Sequence, residues 1–247
     1  MPEFLIPLVS WPTLIAAAAV LLAGVVRGFS GFGSAMVMVP VLAVLYGPVR
    51  AVPLGLLLEL AVSLPLLPPA ARLVDWRNIS VLLMAACATV PLGVWVLHNL
   101  DPLIMRLVLS AIVISGVVLL GSGWRYRGRP GFGPTLATGL IGGTMNGMAG
   151  MAGPPVVFFY LAGANGAAVS RASFIVFFAL LDLFALGVFA VADSYDRDGL
   201  ILAAVLSGPF VIGGLIGARL FGKASERFYR IVALVILAWI AVGTLLV

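Results

Sequence analysis

Charge is missing from long reaches of this 247-residue chain. Phe4–Val26, Gly28–Val49, Asn78–Leu100, Leu107–Trp124, Pro130–Ser170, Gly199–Ala218 and Ile231–Val247 contain no Asp, Glu, Lys or Arg. A helix needs about 20 mainly apolar residues to cross the hydrocarbon core of a bilayer, and most of these reaches supply them. The whole chain is 63% hydrophobic and 9% charged, whereas a soluble domain carries roughly 25% charged residues. A water-soluble fold of this size cannot hide so much apolar surface. That excludes a cytosolic enzyme, a nucleic-acid binder and a disordered scaffold. The expectation is an all-α polytopic membrane protein whose partner is the lipid bilayer and not nucleic acid.

Hydropathy and glycine breaks place helical segments at roughly 12–27, 33–46, 51–67, 78–97, 103–121, 135–148, 154–162, 171–191, 199–218 and 228–246. Segments 33–46, 135–148 and 154–162 are short for a span, and each touches a glycine-rich break. One polar stretch, with Arg125, Arg127 and Arg129 among Gly and Pro, divides the chain near its middle. The organisation expected is a first transmembrane repeat over 1–122, a cytoplasmic Arg/Gly/Pro loop over 123–134, and a second repeat over 135–247, all within one membrane domain. The start of the chain, with Glu3 and no Lys or Arg, lacks the charged region of a cleavable signal peptide, so it is read as mature protein. A single cysteine, Cys87, and a single histidine, His98, leave no internal disulfide and no multi-His metal centre. No cofactor is implied.

The halves carry matching landmarks. Gly24, Gly28 and Gly31 recur as Gly143, Gly147 and Gly150 at an offset of 119. Arg50-Ala51 recurs as Arg171-Ala172, and Gly93 as Gly214, at an offset of 121. Arg106-Leu-Val recurs as Arg230-Ile-Val at an offset of 124. Ordered landmarks of this kind indicate duplication. Basic loops tend to be cytoplasmic, which puts the middle loop, the 68–77 loop and the Arg219–Arg230 loop inside. The 192–198 loop, with Asp193, Asp196 and Asp198, falls outside. Segment 171–191 then starts inside, while its counterpart 51–67 starts outside at Arg50. The fold expected is therefore two inverted repeats, each of three spanning helices plus a glycine-broken helical hairpin, with both termini extracytoplasmic. Inverted repeats around broken helices are a transporter pattern, because exchanging the two halves' conformations opens a midplane site to each side in turn.

The breaks are the candidate binding site. Backbone freed from a helix at membrane depth must face protein or a wet cavity, because lipid cannot satisfy it. Arg27-Gly-Phe-Ser30-Gly31-Phe-Gly33-Ser34 leads into one new helical run, and Asn146-Gly147-Met-Ala-Gly150-Met-Ala-Gly153 into another. A helix N-terminus offers free N–H groups and positive dipole charge to an anion. The candidate substrate-binding residues are Arg27, Ser30, Gly31, Gly33, Ser34, Asn146, Gly147, Gly150 and Gly153. Arg27 either grips an oxyanion with its planar donors, pairs with Glu59, or snorkels to a membrane surface. The serines and Asn146 either bind substrate or cap the broken helices. The glycines either let a ligand approach or allow close helix packing. Glu59 and Asp182 lie within predicted spans at near-equivalent places in the halves. They are candidates for proton coupling or structural partners for Arg27, Arg50 or Arg171. His98, beside Asn99 and Asp101, reads as interfacial.

The stretch Ala23-Gly-Val-Val-Arg-Gly-Phe-Ser-Gly-Phe-Gly-Ser-Ala-Met-Val-Met-Val-Pro40 resembles the first signature of the TauE/SafE family, the sulfite/organosulfonate exporters. Gly143-Thr-Met-Asn-Gly-Met-Ala-Gly-Met-Ala-Gly-Pro-Pro155 resembles the second, and Gly213-Gly-Leu-Ile-Gly-Ala-Arg219 is similar to the family's pattern near its end. The resemblance runs over essentially the whole chain. Ser34, Ala35 and Ala152 depart from the family's glycine runs. The resemblance implies a bacterial-type inner-membrane transporter of sulfite, organosulfonates or small carboxylates. Together with the broken helices it suggests secondary active transport, coupled to protons or membrane potential. An anion channel is the alternative, and an intramembrane enzyme a remoter one for want of a catalytic constellation. The sequence allows, but does not require, a homo-oligomer.

Overall fold

The computed structural model describes residues 10–74, 76–121, 131–161 and 167–221. They form helices α1 (Trp11–Ser30), α2 (Ser34–Tyr46), α3 (Pro48–Ala70), α4 (Trp76–Asn99), α5 (Pro102–Gly121), α6 (Phe132–Ala149), α7 (Gly153–Leu161), α8 (Ala167–Val191) and α9 (Arg197–Phe221). No strand occurs among the described residues. The first nine segments expected from the sequence coincide with these helices. The tenth, 228–246, lies outside the described residues, as do Lys223, Arg227, Arg230 and the arginines of the middle loop. Helices α1, α4, α8 and α9 are each long and apolar enough to cross a membrane. Their outward faces stay apolar, with Leu22, Met84, Trp95, Leu183 and Leu215 all exposed, as a lipid solvent requires.

Two helix pairs form the most extensive contacts: α1 with α9, and α4 with α6. Both are built on glycine. A Cβ added to Gly24 would lie 2.3 Å from the Phe210 carbonyl oxygen, and one added to Gly28 2.0 Å from that of Gly214. On the other helix, Gly213 abuts the Leu21 carbonyl and Gly217 that of Val25. Residue numbers rise together along both helices, so α1 and α9 run parallel. The second pair repeats the arrangement: Gly143 meets the carbonyl of Ala86, Gly147 that of Val90, and Gly93 that of Thr144. Within lipid, apolar burial does not drive helices together. Backbone-to-backbone approach through small residues does so through dispersion and weak Cα–H···O contacts.

Under the repeat expected from the sequence, the contacts set a correspondence that differs in part from the matches of residue type. Gly28 and Gly147 play the same part 119 residues apart. Gly93 plays the part of Gly217, 124 residues further on, rather than that of Gly214. Likewise the left-handed Gly31 faces Arg171, whereas the left-handed Gly150 faces Val52. Contacts thus match Arg171 with Val52 rather than with Arg50. Residue type pairs Arg50 with Arg171, whereas packing pairs positions that make the same contact.

Arg50 pairs elsewhere. Its guanidinium bonds the Asp196 carboxylate in the acidic loop before α9, and Ser194 of the same loop meets Nε2 of His98 at 3.0 Å. The start of α3, the end of α4 and the 192–196 loop therefore share one end of the bundle. His98 sits at that end of the bundle.

Candidate functional site

Helix α1 ends because Gly31 turns left-handed (φ 79°) and sends its N–H back to the Arg27 carbonyl at 2.7 Å. Gly33, at φ 87°, then launches α2. A side chain at either position would be strained, so glycine here serves the turn. Helix α6 ends the same way: Gly150, at φ 65°, donates to the Asn146 carbonyl at 2.7 Å. The segment then enters α7 at Gly153. Ser30 Oγ lies within hydrogen-bond reach of the Val26 and Phe32 carbonyls and donates to one of them at a time. Gly31 looks toward Arg171, whose guanidinium donates to the Gly28 carbonyl at 3.2 Å. Gly147 is taken up by the α4 contact.

Six of the remaining candidates converge. Arg27, Gly33, Glu59, Gly150, Gly153 and Asp182 line one cavity of about 20 Å³, with Ala35, Met36, Met151, Ala152 and Phe178 completing its wall. The two breaks, far apart in sequence, thus face each other. A Cβ at Gly153 would meet nothing within 4 Å, so this glycine keeps space open beside the cavity. A cavity of this size admits about one water molecule. A sulfur oxyanion with three or four heavy ligand atoms enters only if the walls separate.

Arg27 is 2% exposed, too deeply enclosed by protein to snorkel. Nη1 donates to the Gly31 carbonyl at 2.9 Å and Nη2 to Ser63 Oγ at 2.7 Å. Nε lies 3.3 Å from Glu59 Oε2. The face of Phe178 stands 5.5 Å from the guanidinium carbon, within cation–π range. Glu59 also accepts a hydrogen bond from Ser34 Oγ. A guanidinium has five N–H donors, and these contacts leave capacity on its edge for an oxyanion.

The second half is built differently. Asn146 stands in the place of Arg27 and donates from Nδ2 to Asp182 Oδ1 at 3.3 Å. The partner of Arg27 in the matching hydrogen bond is Ser63, 119 residues before Asp182. Glu59 and Asp182 are therefore one helical turn out of register, and Phe178 holds the position equivalent to Glu59. Ser63 and Phe178 escaped sequence reasoning. Ser63 had one available signal, since it follows Glu59 by one turn on the same helix face; Phe178 had none among so many apolar residues. The helix starts differ as well. Pro154 and Pro155 remove two N–H groups from the first turn of α7, while Ser34, Ala35 and Met36 keep theirs at the start of α2.

Among the described residues no cluster of His, Cys, Asp and Glu could hold a metal ion. A larger cavity of about 450 Å³ lies at the Arg50–Asp196 end. Its α3 residues, Arg50, Pro53, Leu54 and Leu57, occupy the face of the helix opposite Glu59 and Ser63, so it is separate from the site between the breaks.

Comparison with known proteins places the chain in a family. A family model described as "Sulfite exporter TauE/SafE" matches residues 16–244. The "Probable sulfite/organosulfonate exporter TauE" of Cupriavidus necator (strain ATCC 17699 / DSM 428 / KCTC 22496 / NCIMB 10442 / H16 / Stanier 337) is 26% identical over 250 residues. That alignment covers 99% of this chain and 96% of the relative. No solved structure matches. A family match along nearly the whole chain, over a bundle of apolar helices, supports one conclusion: the chain belongs to the sulfite exporter TauE/SafE family and is an integral membrane transporter, not an enzyme.

Proposed function

We propose that this chain is a secondary active transporter of small oxyanions, namely sulfite, organosulfonates or small carboxylates, in the bacterial inner membrane. The observation that carries this reading is Arg27, a buried guanidinium at the edge of a cavity walled by both helix breaks. An oxyanion there would be held by the Arg27 edge and by the free N–H groups at the start of α2, while Ser34 holds Glu59 in place. Gly33, Gly150 and Gly153 let it approach the backbone. Charge supports coupling to protons: among the described residues one guanidinium and two carboxyl groups surround the cavity, so an added anion is tolerated only if a proton accompanies it. The small cavity favours a carrier over a channel, because a channel needs a continuous path and a carrier needs only a site that opens by turns.

The same reading takes the halves as inverted repeats. The recurrence of the α1–α9 contacts in α6–α4 supports it, since each repeat's first helix pairs with the other repeat's later helix. Parallel packing within both pairs also fits a topology in which the middle loop is cytoplasmic and the acidic loop is outside.

A thermal-shift screen of the purified protein tests the site. Sulfite or methanesulfonate at 100 times its Kd should stabilise by about 2.7 kcal/mol, read as a rise in Tm. Arg27→Lys keeps the charge beside Glu59 but loses the planar fork, so the shift should fall at least tenfold in apparent affinity. Arg27→Ala would strand the buried Glu59 at a cost of roughly 3–5 kcal/mol, which makes the lysine variant the informative one. No response of the wild type to any anion would overturn the reading.

A further inference from the structure

The two buried acids have different partners, and from this we infer a division of labour. Asp182 with Asn146 carries the coupled proton, while Glu59 stays ionised throughout as the fixed counter-charge of Arg27. The inference rests on the transporter reading above.

The argument turns on what each partner can do. A guanidinium only donates. Arg27 beside Oε2 and the hydroxyl of Ser34 on Oε1 serve Glu59 as a carboxylate. Protonating Glu59 would set an acid O–H against donors and leave the buried guanidinium without its counter-charge, an expensive arrangement in an apolar interior. Asn146 is different. Its amide carries both donors and an acceptor, and the two ends exchange by a half-turn of the side chain. It can donate Nδ2–H to a carboxylate oxygen of Asp182, the contact found here, or accept from the O–H of a protonated Asp182 through Oδ1. One residue thus satisfies both forms of the acid without rearrangement of the backbone. The substitution of Arg27 by Asn146 at equivalent places converts an acceptor-only partner site into a proton-permissive one.

Charge balance supplies the coupling. With Arg27 cationic and both acids ionised, the empty site carries one net negative charge. A bound monoanion together with a protonated Asp182 gives the same total. The buried charge is then constant through the cycle, and the proton and the anion travel in the same direction. The charged groups facing Asp182 around the cavity are Arg27 from α1 and Glu59 from α3. Other titratable groups on neighbouring elements lie elsewhere. His98 of α4 packs against Phe189, about 10 Å further along α8, and Tyr160 of α7 packs on Phe174. Cys87 of α4 is half-buried, and Arg171 of α8 bonds the Gly28 carbonyl.

Proteoliposomes with an entrapped pH dye, valinomycin and potassium test this with methanesulfonate, which does not titrate near neutrality. In the wild type a methanesulfonate gradient should drive proton movement in the same direction. Asp182→Asn, a shape-matched mimic of the protonated acid, should keep the methanesulfonate thermal shift and labelled-anion exchange, yet lose at least nine-tenths of the proton flux. Asn146→Leu, which can neither donate nor accept, should likewise lose at least nine-tenths of the proton flux. Glu59→Gln should lose the thermal shift itself. Undiminished proton flux in Asp182→Asn, or loss of coupling in Glu59→Gln with retained anion binding, would overturn the division of labour alone. A wild type that neither binds nor moves methanesulfonate would overturn the organosulfonate reading and this inference with it.

Discussion

At the scale of single residues, one carboxylate can hold two elements. Asp196 accepts the Gly199 N–H at 3.2 Å, capping the start of α9, and also pairs with Arg50 of α3. The two contributions separate by substitution. The pair is more than a third exposed on both sides, so solvent and salt reduce it to about 0–1 kcal/mol. Asp196→Asn keeps a capping oxygen and should change stability little, with a salt dependence weaker than that of the wild type. Asp196→Ala loses the cap as well, at a cost of about 1 kcal/mol. A calorimetric or urea comparison of the two variants in detergent reads the difference; equal losses would show that the cap contributes nothing.

At the scale of elements, the glycines divide into groups that the sequence does not distinguish. Gly28→Ala and Gly147→Ala would each drive a methyl group to 2.0 Å and 2.2 Å from a partner carbonyl oxygen. Each should cost at least about 1–3 kcal/mol by overpacking. Gly208, within α9, has nothing within 4 Å of its added Cβ. Gly208→Ala should be neutral or stabilise by about 0.5–1 kcal/mol, and equal destabilisation by all three changes would contradict the seam. Helix positions were legible because hydropathy and glycine breaks are local signals. Gly28 and Gly31 look alike in the chain, however, and only packing reveals that one lies against α9 while the other makes the turn. The pairing of the site was legible only in part. Arg27 and Glu59 stood out as charges at depth, but the hydrogen bond to Ser63 and the Phe178 ring depend on which face of α3 and α8 turns inward. Hydropathy is uniform on those helices and does not say.

At the scale of the molecule, the proposed orientation rests on where charges gather. It sets Arg50 outside, against the usual distribution of basic residues, and the pairing of Arg50 with Asp196 of the acidic loop, 146 positions away, supports that placement. No local pattern announces such a pair. In a background with Cys87→Ala, cysteines placed at Ser194 and at His98 should both react with a membrane-impermeant maleimide added from the periplasmic side, and labelling from the cytoplasmic side only would invert the topology. The glycine seams carry a further consequence, in time. Gly24 meets Gly213, so α1, the first helix described, waits for nearly the last one. At roughly 5–20 residues per second of synthesis, that delay is on the order of 10–40 s. Throughout it, the glycine edge of α1 is bare to lipid or to whatever holds nascent helices at the insertion site. The α4–α6 seam closes much sooner, so the second seam in the finished bundle is the first to exist, and the newborn protein is stitched from its centre outward.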